Sequence, residues 1–133
     1  MRIQYAVVCH QFQDGEWDGV TNLIGVRHKL FATVQQTLEG MTARVPLTLV
    51  VSLIDGKPGS HQVWAAVRSP GTRPPQTLPR LDIEWDEASP TFFAIYEVLL
   101  DAVENGVYEF TILVDGEPLG SVPLPVELVS VPA

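Results

Sequence analysis

The acidic segment Asp14–Gly19 carries the residue types that bind metal ions. Its carboxylates, Asp14, Glu16 and Asp18, stand at alternate positions and a glycine follows, as at the start of a calcium-binding loop. A twelve-residue loop of that kind ends on a glutamate, whereas Gly25 occupies the corresponding position here. The sequence therefore excludes the standard loop and leaves two interpretations: a looser calcium or ligand site at one end of the fold, or an acidic turn in solvent.

The remaining polar residues do not form a recognisable catalytic pattern. Asp82, Glu84 and Asp86 alternate along a predicted strand, so their side chains share one face about 7 Å apart, which is typical of a solvated surface. The three histidines lack the spacing of a zinc site. Ser60 and His61 are neighbours and point to opposite faces, and neither a nucleophile elbow nor a phosphate-binding loop is present. We therefore predict no cofactor and no enzymatic activity; a small hydrolase built from distant residues is the weakest alternative.

Two tryptophans are candidates for an interaction surface. Trp17 lies in the acidic segment, where it either is exposed for binding or covers the end of the core. Trp64 is opposite in phase to Val63, Ala65 and Val67, so it faces outward if those residues face the core. An outward tryptophan beside an outward Val50 or Ile54 is typical of a subunit contact. The sequence thus favours a non-enzymatic interaction module that docks to a protein partner or to a copy of itself, with a calcium- or ligand-binding domain as the alternative.

Alternation of apolar and polar residues indicates the elements that hold these side chains. In Arg44–Asp55, apolar residues occupy every second position from Val45 to Leu53. The same period recurs in Leu81–Asp86 and Tyr108–Val114, and aspartate–glycine pairs and prolines separate the runs. Further strands are predicted at Ile3–Cys9, Gly19–Val26, Lys29–Val34, His61–Ser69 and Pro118–Val129. We predict an all-β fold, an antiparallel two-sheet sandwich that is immunoglobulin-like or related, with about seven to nine strands.

Two segments allow more than one assignment. In residues 91–103, the spacing of Phe92, Ile95, Tyr96 and Leu99 suits a helix, whereas every second residue from Phe92 is also apolar, as in a strand. We assign a strand because the chain resembles sandwich proteins, as described below. Residues 35–42 are predicted to form a short helical turn or a loop.

Composition limits the classes of function. The 133 residues fit a single domain over residues 1–133, and the net charge of −8 disfavours binding to nucleic acid or to anionic membranes. Cys9 is the only cysteine, so no disulfide forms within the chain, and its apolar surroundings indicate a buried thiol. No apolar stretch is long enough to span a bilayer, and the first residues do not fit a signal peptide. We expect a cytoplasmic protein.

The last predicted strand contains prolines at two alternate positions. Pro123 and Pro125 both lack an N–H, and their spacing places both missing donors on the same side of the strand. That side cannot donate to a neighbouring strand. The sequence therefore predicts that Pro118–Val129 lies at the edge of a sheet.

The segment Leu100–Tyr108 resembles the corner before the penultimate strand of immunoglobulin-type sandwiches. In that corner a tyrosine, here Tyr108, follows a small residue, here Gly106, by two positions, and its hydroxyl bonds to the backbone upstream. Phe110 stands where antibody domains have a cysteine, so the antibody disulfide is missing. The resemblance implies a sandwich architecture and a structural role for Gly106 and Tyr108, and it does not imply an antibody-like function.

The chain as a whole resembles a family of small bacterial proteins classed as a domain of unknown function. The matching stretches are Tyr5–Cys9, Asn22–Val26, Gly106–Gly116 and Pro123–Val126. They cover the two ends of the chain and consist mostly of core and turn residues. The resemblance implies a β-sandwich and brings no activity, cofactor or catalytic residue with it.

Overall fold

The computed structural model describes residues 1–14, 21–37, 40–88 and 91–130, and these residues form strands and turns without a helix. No helix able to cross a membrane is therefore present in the described ranges. The ten strands are β1 (Arg2–Asp14), β2 (Thr21–Val26), β3 (Leu30–Thr37), β4 (Gly40–Ile54), β5 (Gly59–Arg68), β6 (Gln76–Thr77), β7 (Leu81–Trp85), β8 (Thr91–Ala102), β9 (Gly106–Val114) and β10 (Glu117–Ser130).

The strands form two sheets that pack face to face. Sheet A has the order β2-β1-β4-β8. Sheet B has the order β3-β10-β9-β5, and both β6 and β7 pair with the remaining side of β5. All pairs are antiparallel except β3 with β10. The prediction of an all-β two-sheet sandwich is therefore confirmed.

The core lies between the sheets and follows the predicted alternation. On β4, the residues at every second position from Leu47 to Leu53 are buried, and they pack with Phe110 and Ile112 of β9 in one apolar cluster. Tyr96 of β8 crosses this layer, and its hydroxyl donates a hydrogen bond of 2.9 Å to the carbonyl of Val63 in sheet B. Burial raises the pKa of Tyr96 to about 12. The hydroxyl therefore stays protonated and joins the two sheets.

The assignment of residues 91–103 to a strand is confirmed, since β8 covers Thr91–Ala102. The helical turn considered for residues 35–42 is wrong for the described residues there, because Gln35–Thr37 pairs with Gly40–Thr42 as a β-hairpin. The described residues form ten strands, whereas about seven to nine were predicted. The strand that sequence analysis missed is the two-residue β6, which follows Pro74-Pro75 and is too short to show a period.

The proline-containing strand β10 is an edge over only part of its length. It pairs with β9 over Glu117–Val126, and Pro123 and Pro125 lie where no second strand pairs with it. From Val126 to Ser130 it also pairs with β3 in parallel. The edge prediction is therefore confirmed up to Pro125 and wrong beyond it, because regular backbone donors return after the second proline.

Tyr108 and Gly106 lie together at the turn between β8 and β9. The Tyr108 hydroxyl donates to the carbonyl of Glu104 at 3.1 Å and accepts from the N–H groups of Val103 at 3.3 Å and Glu104 at 3.4 Å. Gly106 has φ of 136°, and a Cβ there would lie 2.8 Å from Cγ of Pro70. Only glycine fits this backbone and this close contact.

Candidate interaction surface

Three neighbouring strands of sheet A contain unbroken apolar runs. These are Tyr5–Cys9 in β1, Leu49–Val51 in β4 and Phe92–Tyr96 in β8. Because successive side chains on a strand point to opposite faces, an unbroken run supplies apolar side chains to both faces of the sheet. One set enters the core, and the other set forms a surface on the far side of sheet A.

We call this surface the outer face of sheet A. It comprises sixteen of the side chains that point away from sheet B: Tyr5, Val7, Cys9, Gln11, Ile24, Val26, Arg44, Pro46, Thr48, Val50, Ser52, Phe93, Ile95, Glu97, Leu99 and Asp101. Arg2 lies beyond them on the same side and forms an ion pair with Asp55.

The register of the strands aligns these side chains into rows. Val7, Val50 and Ile95 are opposite one another on three adjacent strands and form one row. In the next row, Tyr5 and Phe93 flank Ser52, and their ring centroids are 6.2 Å apart. Rows of this kind place apolar and aromatic groups in contact across the sheet. The result is a continuous apolar surface rather than scattered side chains.

The centre of the outer face is already shielded by its own neighbours. Cys9, Val50 and Ser52 are fully buried although they lie outside the core cluster. The Ser52 hydroxyl donates a hydrogen bond of 2.8 Å to Oε1 of Gln4. Burial raises the pKa of the Cys9 thiol, which keeps it protonated. Cys9 therefore acts as a small apolar side chain within this surface.

The margins of the outer face expose large apolar side chains. Ile24 is 38% exposed, Val26 42%, Ile95 37% and Leu99 51%. Three comparable side chains lie on sheet B, namely Phe31, Val107 and Val129. On sheet B charged groups interrupt them: Lys29 lies 4.8 Å from the centre of the Phe31 ring and forms a 3.0 Å ion pair with Glu127. On the outer face of sheet A, Glu97 lies between Ile95 and Leu99 along β8, while the two rows described above contain no charged side chain.

The outer face carries little charge. Its charged residues are Arg44, Glu97 and Asp101, and Arg44 forms an ion pair of 3.5 Å with Asp101. The face therefore has a net charge of −1, although the whole chain has a net charge of −8. Depletion of charged residues is the feature that separates the centre of a protein interface from ordinary surface.

Trp64 lies on the outer face of sheet B, opposite Leu113 of β9. It is half-buried, and the guanidinium of Arg80 lies 4.4 Å from the centre of the indole ring. This cation–π contact covers part of the ring within the chain itself. Trp64 thus points outward, as its phase indicates, but it does not belong to the extended apolar surface.

The other candidates at Asp14–Gly19 fall mostly outside the described residues. Trp17, Glu16 and Asp18 lie outside them, while the backbone of Asp14 ends β1 opposite Thr21. Within the described ranges, no group of three or more histidine, cysteine or acidic side chains could hold a metal ion. The calcium interpretation therefore remains a prediction for that segment.

A second polar cluster, around His61, lines a cavity of about 320 Å³ at the end of sheet B. The Nδ1 atom of His61 lies 2.7 Å from Oδ2 of Asp115, and its Nε2 atom lies 2.7 Å from the carbonyl of Lys57. The N–H of Gln62 donates to the other Asp115 oxygen at 2.9 Å. Asp115 reaches this position because Asp115 and Gly116, both with positive φ, form the tight turn between β9 and β10.

Both ring nitrogens of His61 face hydrogen-bond acceptors. The two hydrogen bonds form together only when both nitrogens carry a proton, which makes an ion pair with Asp115. The hydrogen bonds to Asp115 and Lys57 raise the pKa of His61, and those from Gln62 and His61 lower the pKa of Asp115. A histidine with both nitrogens donating has no lone pair to act as a base. Ser60 instead donates its hydroxyl to Glu84.

Sequence analysis indicates an outward Val50 but does not identify the other residues that form the outer face of sheet A. It includes Leu99 and Ile95 only as members of a helix or strand pattern, and Val26 only as part of a strand. The available signal was the unbroken apolar run, since a strand with one solvated face should alternate.

The chain matches no protein-family model, and it matches no curated protein.

Proposed function

We propose that this protein is a non-enzymatic interaction module that self-associates through the outer face of sheet A. One observation carries the proposal: the outward side chains of four adjacent strands are mostly apolar, and few of them are charged. Apolar surface of this extent is favourable to remove from water. A second copy supplies an identical face, as in a two-fold symmetric dimer.

The size of the face suits a dimer. With strands about 4.8 Å apart and same-face residues about 6.8 Å apart, four strands and four to five rows cover roughly 500–600 Å². Two copies would then bury about 1,000–1,200 Å², which is near the lower limit of stable and specific interfaces. The predicted dimer is therefore of modest affinity and depends on concentration.

Charge favours this face over the acidic parts of the surface. The outer face contributes one net negative charge, and the other seven lie elsewhere on the chain. Contacts through acidic surfaces bring like charges of two copies together, which is unfavourable. Pairing through the outer face leaves Glu97 as the one acidic side chain without an ion pair among its sixteen residues.

Analytical ultracentrifugation over a range of concentrations tests the proposal. We expect the mass to rise above the 14.6 kDa of one chain as the concentration increases. Leu99→Glu should abolish that rise, because it places a charge in the apolar contact. Val107→Glu is the matched control, since Val107 and Leu99 are both 51% exposed and lie on opposite sheets.

Two results would contradict the proposal. One is a mass of 14.6 kDa at every concentration up to the millimolar range. The other is self-association that Val107→Glu removes and Leu99→Glu leaves intact, because the interface would then lie on sheet B.

A further inference from the structure

Among the described residues, the first strand has an unpaired hydrogen-bonding edge over half its length. On one side β1 pairs with β4 along Arg2–Cys9, but on the other side its pairing with β2 begins only at Cys9. The carbonyl of Val8 accepts the N–H of Arg27 at 2.8 Å on that second side. Because alternate residues point their backbone groups to the same side, the N–H and C=O of Ala6 also point there. No described strand pairs with them.

Strand β10 lies next to this edge of β1 but does not pair with it. The stretch of β10 that contains Pro123 and Pro125 approaches β1 without pairing to it. Both prolines lack an N–H, so β10 offers only carbonyls at these positions. A groove of about 380 Å³ remains between the two strands, and Ala6, Val8, Val122, Pro123 and Pro125 form its apolar walls.

The rim of the groove is cationic. Arg27 and His28 line it, and none of the nine lining residues is acidic, although the chain as a whole is strongly acidic. The Nε atom of Arg27 is buried and has no hydrogen-bond partner among the described residues. A buried donor of this kind is costly unless a ligand or water satisfies it.

We propose that this groove binds an extended peptide segment of another protein that carries an aspartate or glutamate. The segment adds to the free edge of β1 through the N–H and C=O of Ala6, and its carboxylate accepts from Arg27. The apolar walls receive the alternate side chains of the segment. This site differs from the self-association proposed above because it uses the backbone edge of β1 and Arg27, although the side chains of Val7 and Val26 border both the groove and the outer face.

Selection from a library of random nine-residue peptides on the immobilised full chain tests the inference. We expect enrichment of peptides with one acidic residue among alternating β-branched residues. For an enriched peptide made synthetically, we expect Arg27→Gln to weaken binding about tenfold, which corresponds to about 1.4 kcal/mol. Replacing the peptide's Glu by Gln should give the same loss in the wild-type protein and none in Arg27→Gln.

Controls separate this site from general charge and from self-association. Arg68→Gln removes an exposed arginine from sheet B and should leave binding unchanged. Leu99→Glu should also leave binding unchanged, even if it alters the oligomeric state. Hydrogen exchange at the Ala6 amide should slow when the peptide is bound. The inference is overturned if no peptide is enriched, if enriched peptides bind Arg27→Gln as well as the wild type, or if exchange at Ala6 is unchanged.

Discussion

The outer faces of the two sheets differ in how polar groups of the chain cover their exposed apolar side chains. Sheet B covers or separates its exposed apolar groups with polar partners from its own chain, such as Arg80 over Trp64 and Lys29 over Phe31. Sheet A presents rows of apolar side chains around the buried Val50, with Glu97 as the one acidic side chain outside an ion pair.

The largest expected effect compares two adjacent leucines of β8. Leu100 faces the core and is 2% exposed, whereas Leu99 faces outward. We expect Leu100→Ala to lower the free energy of unfolding by about 2–5 kcal/mol at every protein concentration, because it leaves a cavity. Leu99→Ala should cost less than about 1 kcal/mol in dilute solution, where the chain is monomeric.

Denaturant unfolding at several protein concentrations measures both changes. The wild-type chain should become more stable as the concentration rises, because the dimer stabilises the folded state by mass action. Leu99→Ala should reduce that dependence, while Leu100→Ala should retain it. If the free energy of unfolding depends on concentration equally in the wild type and in Leu99→Ala, Leu99 does not contribute to the interface.

A smaller effect is expected at Trp64. Since the side chain is half-buried and contacts Arg80, Trp64→Ala should lower the free energy of unfolding by about 1–2 kcal/mol. It should leave the dissociation constant of the dimer unchanged within twofold. Thermal unfolding and ultracentrifugation of the same sample check the two expectations. A rise of tenfold or more in the dissociation constant would return Trp64 to the interface.

The smallest expected effect is a dependence of stability on pH at the end of sheet B. The pKa of His61 is raised from 6.5, so its contribution is complete below pH 6.5 and is lost as the pH rises through the folded-state value. The pKa of Asp115 is lowered from 3.8, so its contribution is present above pH 3.8 and is lost as the pH falls further. The ion pair therefore stabilises most between these limits.

In the variant His61→Gln, stability should fall less as the pH rises from 5 to 8 than it does in the wild type. The measurement is the melting temperature at pH 5 and at pH 8 for both proteins, in a buffer of constant ionic strength. Self-association should change little over the same range, since the sixteen residues of the outer face include no histidine. An identical pH profile in wild type and His61→Gln would show that the ion pair does not contribute.

The sequence predicts strands and core residues well where apolar and polar residues alternate. It predicts them less well where both phases of a strand are apolar. The alternation in β4, β7 and β9 predicted which residues form the core, because burial on one face imposes a period of two. In β8 both phases are apolar, so the pattern also fits a helix. The pairing with β4 shows that this segment is a strand. The His61 contacts depend on residues that are 54 and 4 positions away, and sequence spacing does not reveal them.

Methyl NMR with a soluble paramagnetic agent tests the contrast between the two faces most directly. At high protein concentration, we expect the methyl groups of Ile24, Ile95 and Leu99 to be protected from the agent, and to lose that protection on dilution. The methyl groups of Val107 and Val129, which are similarly exposed in the single chain, should be relaxed at every concentration. Equal relaxation of all five residues at all concentrations would contradict self-association through sheet A.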